Sequence, residues 1–414
     1  MDYDNLIEDN GIYLYKDNSF NTIFITLIFR RLSGNKNDAI YILLADYLLK
    51  ANKIYKKVED IREKKNEFYS MDINLYNCYY GNTPLLYSTI DLISPQVVKD
   101  NYLDEAYDFI NTMLLKPDFT CEDLLKETKE CYLSKIKQIL SEAENYAERK
   151  YKQETYKGGE ESFIFSNDYK YLEKVLNSIT MKDLEIAYLN SIKSKFFKGF
   201  IFGNITDEEF NSFRDRFPFE NSKCENIDCV ATPIFNKEKI EIPNKNSKDS
   251  IVYITYSLDS MDKALYNVLF DILNVSSVYC SSILREKYNL VYVSYVVVGY
   301  SRKTLIFKAQ VDKKNIDKLI NATDEIINDL KDRDKLKELL VKTRESIKNE
   351  NYILSESKLC MIDTINDYVT GIFDKFNETE FADNIDKLTE DDLLEKTKTL
   401  KRRNIFIYRG DDCE

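Results

Sequence analysis

The sequence predicts an α+β protein of two tandem homologous domains, each a mainly antiparallel sheet flanked by helices. Three observations predict it. An octapeptide recurs: Arg62-Glu63-Lys64-Lys65-Asn66-Glu67-Phe68-Tyr69 returns as Arg285-Glu286-Lys287-Tyr288-Asn289-Leu290-Val291-Tyr292, with Arg, Glu, Lys, Asn and Tyr matched. That spacing is about half the chain, too long for a solenoid period and suited to a duplication. The sequence around each copy recurs in pattern, and both halves close in the same way.

Taken in order, each half begins with a β-rich run, 23–29 in the first and 251–256 in the second. An amphipathic helix follows. Ile40, Leu43, Leu44, Tyr47 and Leu48 repeat the i, i+3, i+4, i+7, i+8 spacing of Leu265, Val268, Leu269, Ile272 and Leu273. After the Arg…Tyr segment comes a strand pair. Residues 72–80 and 85–91 flank Gly81-Asn82, and 291–298 and 304–311 flank the turn 299–303. Helices at 103–115 and 316–330 come next, then highly charged ones, with Asn145-Tyr146 and Asn351-Tyr352 in similar places. Each half ends with a helix opened by Thr and a carboxylate three residues on, Thr180/Asp183 and Thr389/Asp392. A last strand then reaches glycine, 196–202 before Gly203 and 404–408 before Gly410. The expected domains are 1–216 and 237–414, joined by a linker at 217–236 that holds Pro218, Pro233 and the polar run Glu220-Asn221-Ser222-Lys223.

Composition is that of a soluble globular protein, 43% hydrophobic and 31% charged. No apolar run approaches a membrane span, and the acidic N-terminus has no signal character, so the expected location is the cytoplasm with reduced thiols. A formal charge of −12 disfavours nucleic acid. The chain has no histidine, which removes Ser-His-Asp and Cys-His catalysis and every histidine-ligated zinc site. Its ten glycines form no phosphate-binding loop. Cys224 and Cys229 lack a second ligand pair, and Cys280, with no histidine to activate it, reads as a buried structural thiol. Gly158-Gly159 reads as an inter-helix turn or a segment lining a chamber, and the charged stretch 331–350 as an outer helical face.

Two such domains, with Leu284-Arg285-Glu286-Lys287-Tyr288-Asn289-Leu290-Val291-Tyr292 in the second, resemble the pitrilysin/insulinase-type zinc metallopeptidases. The likeness is to the short two-domain members akin to mitochondrial processing peptidase subunits. The family pattern is similar to L-R-E-K-x-G-L-x-Y; this chain keeps Leu284, Arg285, Glu286, Lys287, Leu290 and Tyr292 but has Asn289 in place of glycine. Active members carry H-x-x-E-H on the first helix of the first domain. The corresponding window here is Ile42-Leu43-Leu44-Ala45-Asp46, with neither histidine and with Ala45 in place of the general base. Where a later helix of the family gives zinc a glutamate, within 127–136, the alignment places Lys135.

The resemblance implies half of a metallopeptidase clamshell that has lost its own metal centre. It also implies what remains: Arg285 and Tyr292, hydrogen-bond donors to a substrate carbonyl and its oxyanion at a partner's zinc. The expectation is therefore a non-catalytic subunit, inactive alone and holding no cofactor. It would pair with a homologous chain whose intact H-x-x-E-H binds zinc, to cleave small or unfolded peptides. Family members bind such peptides as an added strand. A peptide-binding or scaffold protein with no proteolytic role is the alternative. Arg62 and Tyr69 read as a relic of the duplication.

Overall fold

A computed structural model describes residues 3–157, 168–219, 227–228, 234–244, 248–274, 279–280 and 282–410, with the backbone alone of 291–293. The strands of the first half are β1 (Leu6–Asp9), β2 (Ile12–Lys16), β3 (Thr22–Arg30), β4 (Asp72–Tyr80), β5 (Thr83–Ile93), β6 (Tyr156–Lys157) and β7 (Phe196–Gly203). Those of the second are β8 (Ile234–Phe235), β9 (Lys239–Asn244), β10 (Asp249–Ser257), β11 (Val291–Gly299), β12 (Thr304–Asp312) and β13 (Lys401–Gly410). They form a six-stranded sheet in the order β1-β2-β7-β3-β5-β4 and a five-stranded sheet in the order β11-β12-β10-β13-β9, while β6 and β8 pair separately.

The duplication is plain in this topology. Read from opposite ends, β2-β7-β3-β5-β4 and β9-β13-β10-β12-β11 are one arrangement. Each has a single parallel pair, β2 with β7 and β9 with β13. Each central strand slips register near its end, at Ile28/Phe29 and at Thr255/Tyr256. The predicted α+β class holds.

The first helix of each half, Asn35–Leu48 and Lys263–Asn274, buries the apolar stripe read from its spacing. Each buried Leu or Ile there contributes about 1.5–3 kcal/mol relative to exposure. The closing helices, Met181–Leu189 and Glu390–Thr397, start with full capping boxes. Asp183 and Asp392 accept from the backbone N–H of Thr180 and Thr389, each at 2.8 Å. Five strands, β1, β2, β6, β8 and β9, were not expected. Neither was the break that makes Ala143–Thr155 and Lys358–Thr370 separate helices after Glu122–Ser141 and Arg333–Ser355.

Those two extra helices put an apolar layer on the second face of each sheet. Ala143–Thr155 lies on the second half's sheet, where Ala147 and Tyr151 join Ile240, Tyr253 and Phe406. Tyr151 stacks on Tyr253 at 4.4 Å between ring centroids, and its hydroxyl is 2.7 Å from Thr255 Oγ1. Lys358–Thr370 returns the exchange: Met361, Ile362, Ile365 and Val369 cover Tyr15, Phe200 and Phe202 of the first sheet. The cause lies in the central strands. β3 and β10 are buried along nearly their whole length, on both faces, so each sheet needs a second apolar layer. Each half keeps its own core and takes that layer from the other.

Candidate functional site

The segment carrying Arg285 is held by its ends. Ser282–Lys287 forms a π-helical turn after Cys280, and Leu284 and Leu290 are sunk into the core at 1% and 4% exposure. Leu290 N–H donates to Leu284 O at 3.0 Å, and Asn289 N–H to Arg285 O at 3.0 Å. Asn289 takes φ +48°, a left-handed conformation that glycine adopts freely and that asparagine tolerates best among other residues. The turn is thereby preserved without glycine. Glu325, on helix Ile316–Asp329, fixes the outer side: it accepts from Lys287 Nζ and from Tyr288 Oη, both at 2.6 Å. The Lys287 hydrogen bond, and then that of Tyr288, holds the Glu325 carboxyl below the usual range. Sequence reasoning missed Glu325, because nothing local marks a surface glutamate on another helix.

Arg285 is exposed between these anchors, and its guanidinium pairs with none of the described residues. Tyr292 is the residue at which β11 slips against β12, between Val291↔Val311 and Val293↔Gln310. A bulge of this kind re-aims a side chain; the Tyr292 side chain itself lies outside the described residues. One turn and one strand start thus carry both residues. No described contact joins them to the window on the first helix.

In that window Ile42 is half-buried against the core and Ala45 is 5% exposed. Asp46 sits 4.0 Å from Lys50 Nζ, which in turn donates to Thr128 Oγ1 at 3.2 Å. The helix Glu122–Ser141 approaches through Thr128 and Tyr132, while Lys135, one turn on, is exposed. Burial, and then the charge of Asp46, pushes the Tyr132 phenol up, keeping it protonated. Two positions without donor atoms, an ion-paired carboxylate and a protonated phenol are not a zinc ligand set. The residues do not fit the metal.

The first copy of the octapeptide departs from the second. Its arginine lies on a longer helix, Val58–Glu67, and the left-handed residues are Tyr69 and Ser70, three to four places later than Asn289 in the aligned copies. Arg62 lines a groove with Leu49, Ile61, Met71 and Met113, and Tyr69 donates to Asp100 at 2.8 Å. Of the cysteines, Cys280 is 3% exposed with its thiol pushed up to about 12 by burial, a packing residue. Cys224, Cys229 and the pair Gly158-Gly159 lie outside the described residues.

The two sheet edges differ as well. Across β11, the side chain of Asn274 accepts from Val296 N–H and donates to Val296 O, both at 2.8 Å, closing the edge at mid-strand. Among the described residues nothing bonds the outer backbone of β4 in this way. No helix among the described residues is long and apolar enough to cross a membrane.

Residues 178–345 match the family described as "Peptidase M16 inactive domain". No curated protein matches significantly. Solved structures match over nearly the full length. A conserved protein from Enterococcus faecalis V583 is 16% identical with a TM-score of 0.80, covering 99% of this chain and 100% of that one. A peptidase M16 inactive domain from Pseudomonas fluorescens is 14% identical with a TM-score of 0.71, covering 97% of each. The first half of the periplasmic protease PqqL from Escherichia coli is 12% identical with a TM-score of 0.69, covering 98% of this chain and 92% of that one. Residues 178–345 thus resemble the M16 inactive domain, and the chain shares the fold of these structures over nearly its full length.

Proposed function

We propose that this chain is the non-catalytic subunit of a heterodimeric zinc metallopeptidase. In this reading it lends Arg285 and Tyr292 to the zinc site of a homologous partner with an intact H-x-x-E-H. The observation that carries it is the state of Arg285. Lys287 and Tyr288 are tied to Glu325 and Leu284 and Leu290 are buried, yet the guanidinium between them is exposed and pairs with no described residue. A surface arginine held on a fixed turn is a preorganised donor for a carbonyl that becomes an oxyanion. Support also comes from the contrast with the first half, whose window has no ligand set. The PqqL likeness adds to it: a chain of this size covers the first half of a protease, so a second half completes the enclosure.

The substrate in this reading is a short or unfolded peptide, laid as an added strand along the outer side of β4. The closed edge of β11 directs it there. The test mixes the chain with such a partner and follows peptide hydrolysis. Arg285→Ala and Tyr292→Phe are expected to slow turnover while assembly, read by size-exclusion chromatography, is unchanged. Hydrolysis by both variants as fast as the unmodified pair would leave the scaffold reading in its place.

A further inference from the structure

Arg149 is a buried cation without a counter-ion among the described residues. It lies on helix Ala143–Thr155, the helix that the first half lends to the second sheet, and is 4% exposed. Its Nε and Nη2 are fully buried and meet no acceptor among the described residues. Burial pulls its pKa down; the opposing charge nearest in effect is Asp168. That carboxylate is engaged elsewhere, accepting from Tyr171 N–H at 2.8 Å as the N-cap of helix Tyr169–Ser178. A buried charge with no partner is costly, and folded proteins keep one only where something pairs with it.

The two atoms in question identify the chemistry. Nε and Nη2 form one edge of the guanidinium, with parallel N–H bonds that match the two oxygens of a carboxylate. This chain uses the same edge twice at its surface. Arg333 holds Asp391 through Nε at 2.7 Å and Nη2 at 2.8 Å, and Arg409 holds Glu241 through the same pair of nitrogens. Arg149 presents that edge in the interior. We propose that Arg149 anchors a binding site for a carboxylate supplied by a ligand, gripped by both oxygens beside helix Ala143–Thr155. A planar carboxylate suits so closed a position. It can come from a small free acid or from the C-terminus of a peptide. The site does not depend on the partner reading above, since it lies wholly within this chain.

Thermal unfolding of the full chain tests this, with sodium succinate against sodium chloride at equal ionic strength. Succinate should raise the Tm of the unmodified protein saturably. Arg149→Met should melt higher than the unmodified protein in chloride, because an unpaired buried charge is gone, and should lose the succinate shift. Arg149→Lys, which keeps charge but not the fork, should weaken succinate by about tenfold or more. Asp168→Asn should keep the shift. A peptide that acts with a free C-terminus and fails when amidated would assign the carboxylate to peptides; succinate acting while both peptides are silent would assign it to a free acid. No shift in the unmodified protein, an equal shift in Arg149→Met, or equal destabilisation by Arg149→Met and Asp168→Asn would overturn the proposal, the last by showing Asp168 to be the partner.

Discussion

The helix after the central strand carries an aspartate at the same register in both halves, and the two have become different things. Asp46 stays partly exposed and pairs with Lys50 one turn on. Asp271 is 7% exposed, pairs with no described cation, and is pushed up to about 7 by burial and then by the charge of Glu350. The same divergence runs through both copies. The first half keeps an open sheet edge at β4 and has an inert window; the second closes its edge with Asn274 and presents Arg285 on a pinned turn. Duplication copied strands and cores, and side chains at matching places then diverged.

The comparison breaks first at the exchanged helices. Phe202 and Phe406, both 0% exposed, sit under the helix that the other half lends. Phe202→Ala or Phe406→Ala should cost about 3–5 kcal/mol, with both halves unfolding in one denaturant transition. Two separate transitions, with only the mutated half weakened, would show that the exchange does not couple them.

The two aspartates give the next contrast. Because the folded pKa of Asp271 is raised, the unfolded chain loses its proton first as pH rises from about 4. Stability from this group is therefore full at low pH, declines through that window, and stays low above about 7. Asp271→Asn should stabilise the protein by on the order of 2 kcal/mol at pH 8 and flatten the decline. Asp46→Asn should change stability by less than about 0.5 kcal/mol, as for an exposed pair. Denaturant melts across pH check both.

A smaller effect concerns the turn beside Arg285. Asn289→Val should cost about 1–2 kcal/mol at a left-handed position, while Asn289→Gly should be nearly neutral. An equal cost for both would remove the conformational explanation. Smallest is the edge: Asn274→Ala should lose about 1 kcal/mol and increase concentration-dependent self-association in sedimentation, which the capped β11 resists.

Much of this was legible in order and little of it in contact. Strands, amphipathic helices and capping boxes follow local rules, so β3, β10, Leu43, Val268, Thr180 and Thr389 stand where their spacing put them. The octapeptide pointed to the duplication, although its two copies differ by most of a helical turn in register. The exchange of helices was not legible, because the amphipathic helix Ala143–Thr155 does not say whose sheet it covers. Glu325, Asn274 and Arg149 were missed for the same reason. Each matters through a partner, or the lack of one, far along the chain.

The most direct test of the shared-site account compares peptide hydrolysis and bound zinc for this chain alone, an H-x-x-E-H partner alone, and the two together. The account predicts that only the mixture hydrolyses and that it holds one zinc per pair, carried by the partner. Hydrolysis by the partner alone at the rate of the mixture, or stoichiometric zinc on this chain, would contradict it.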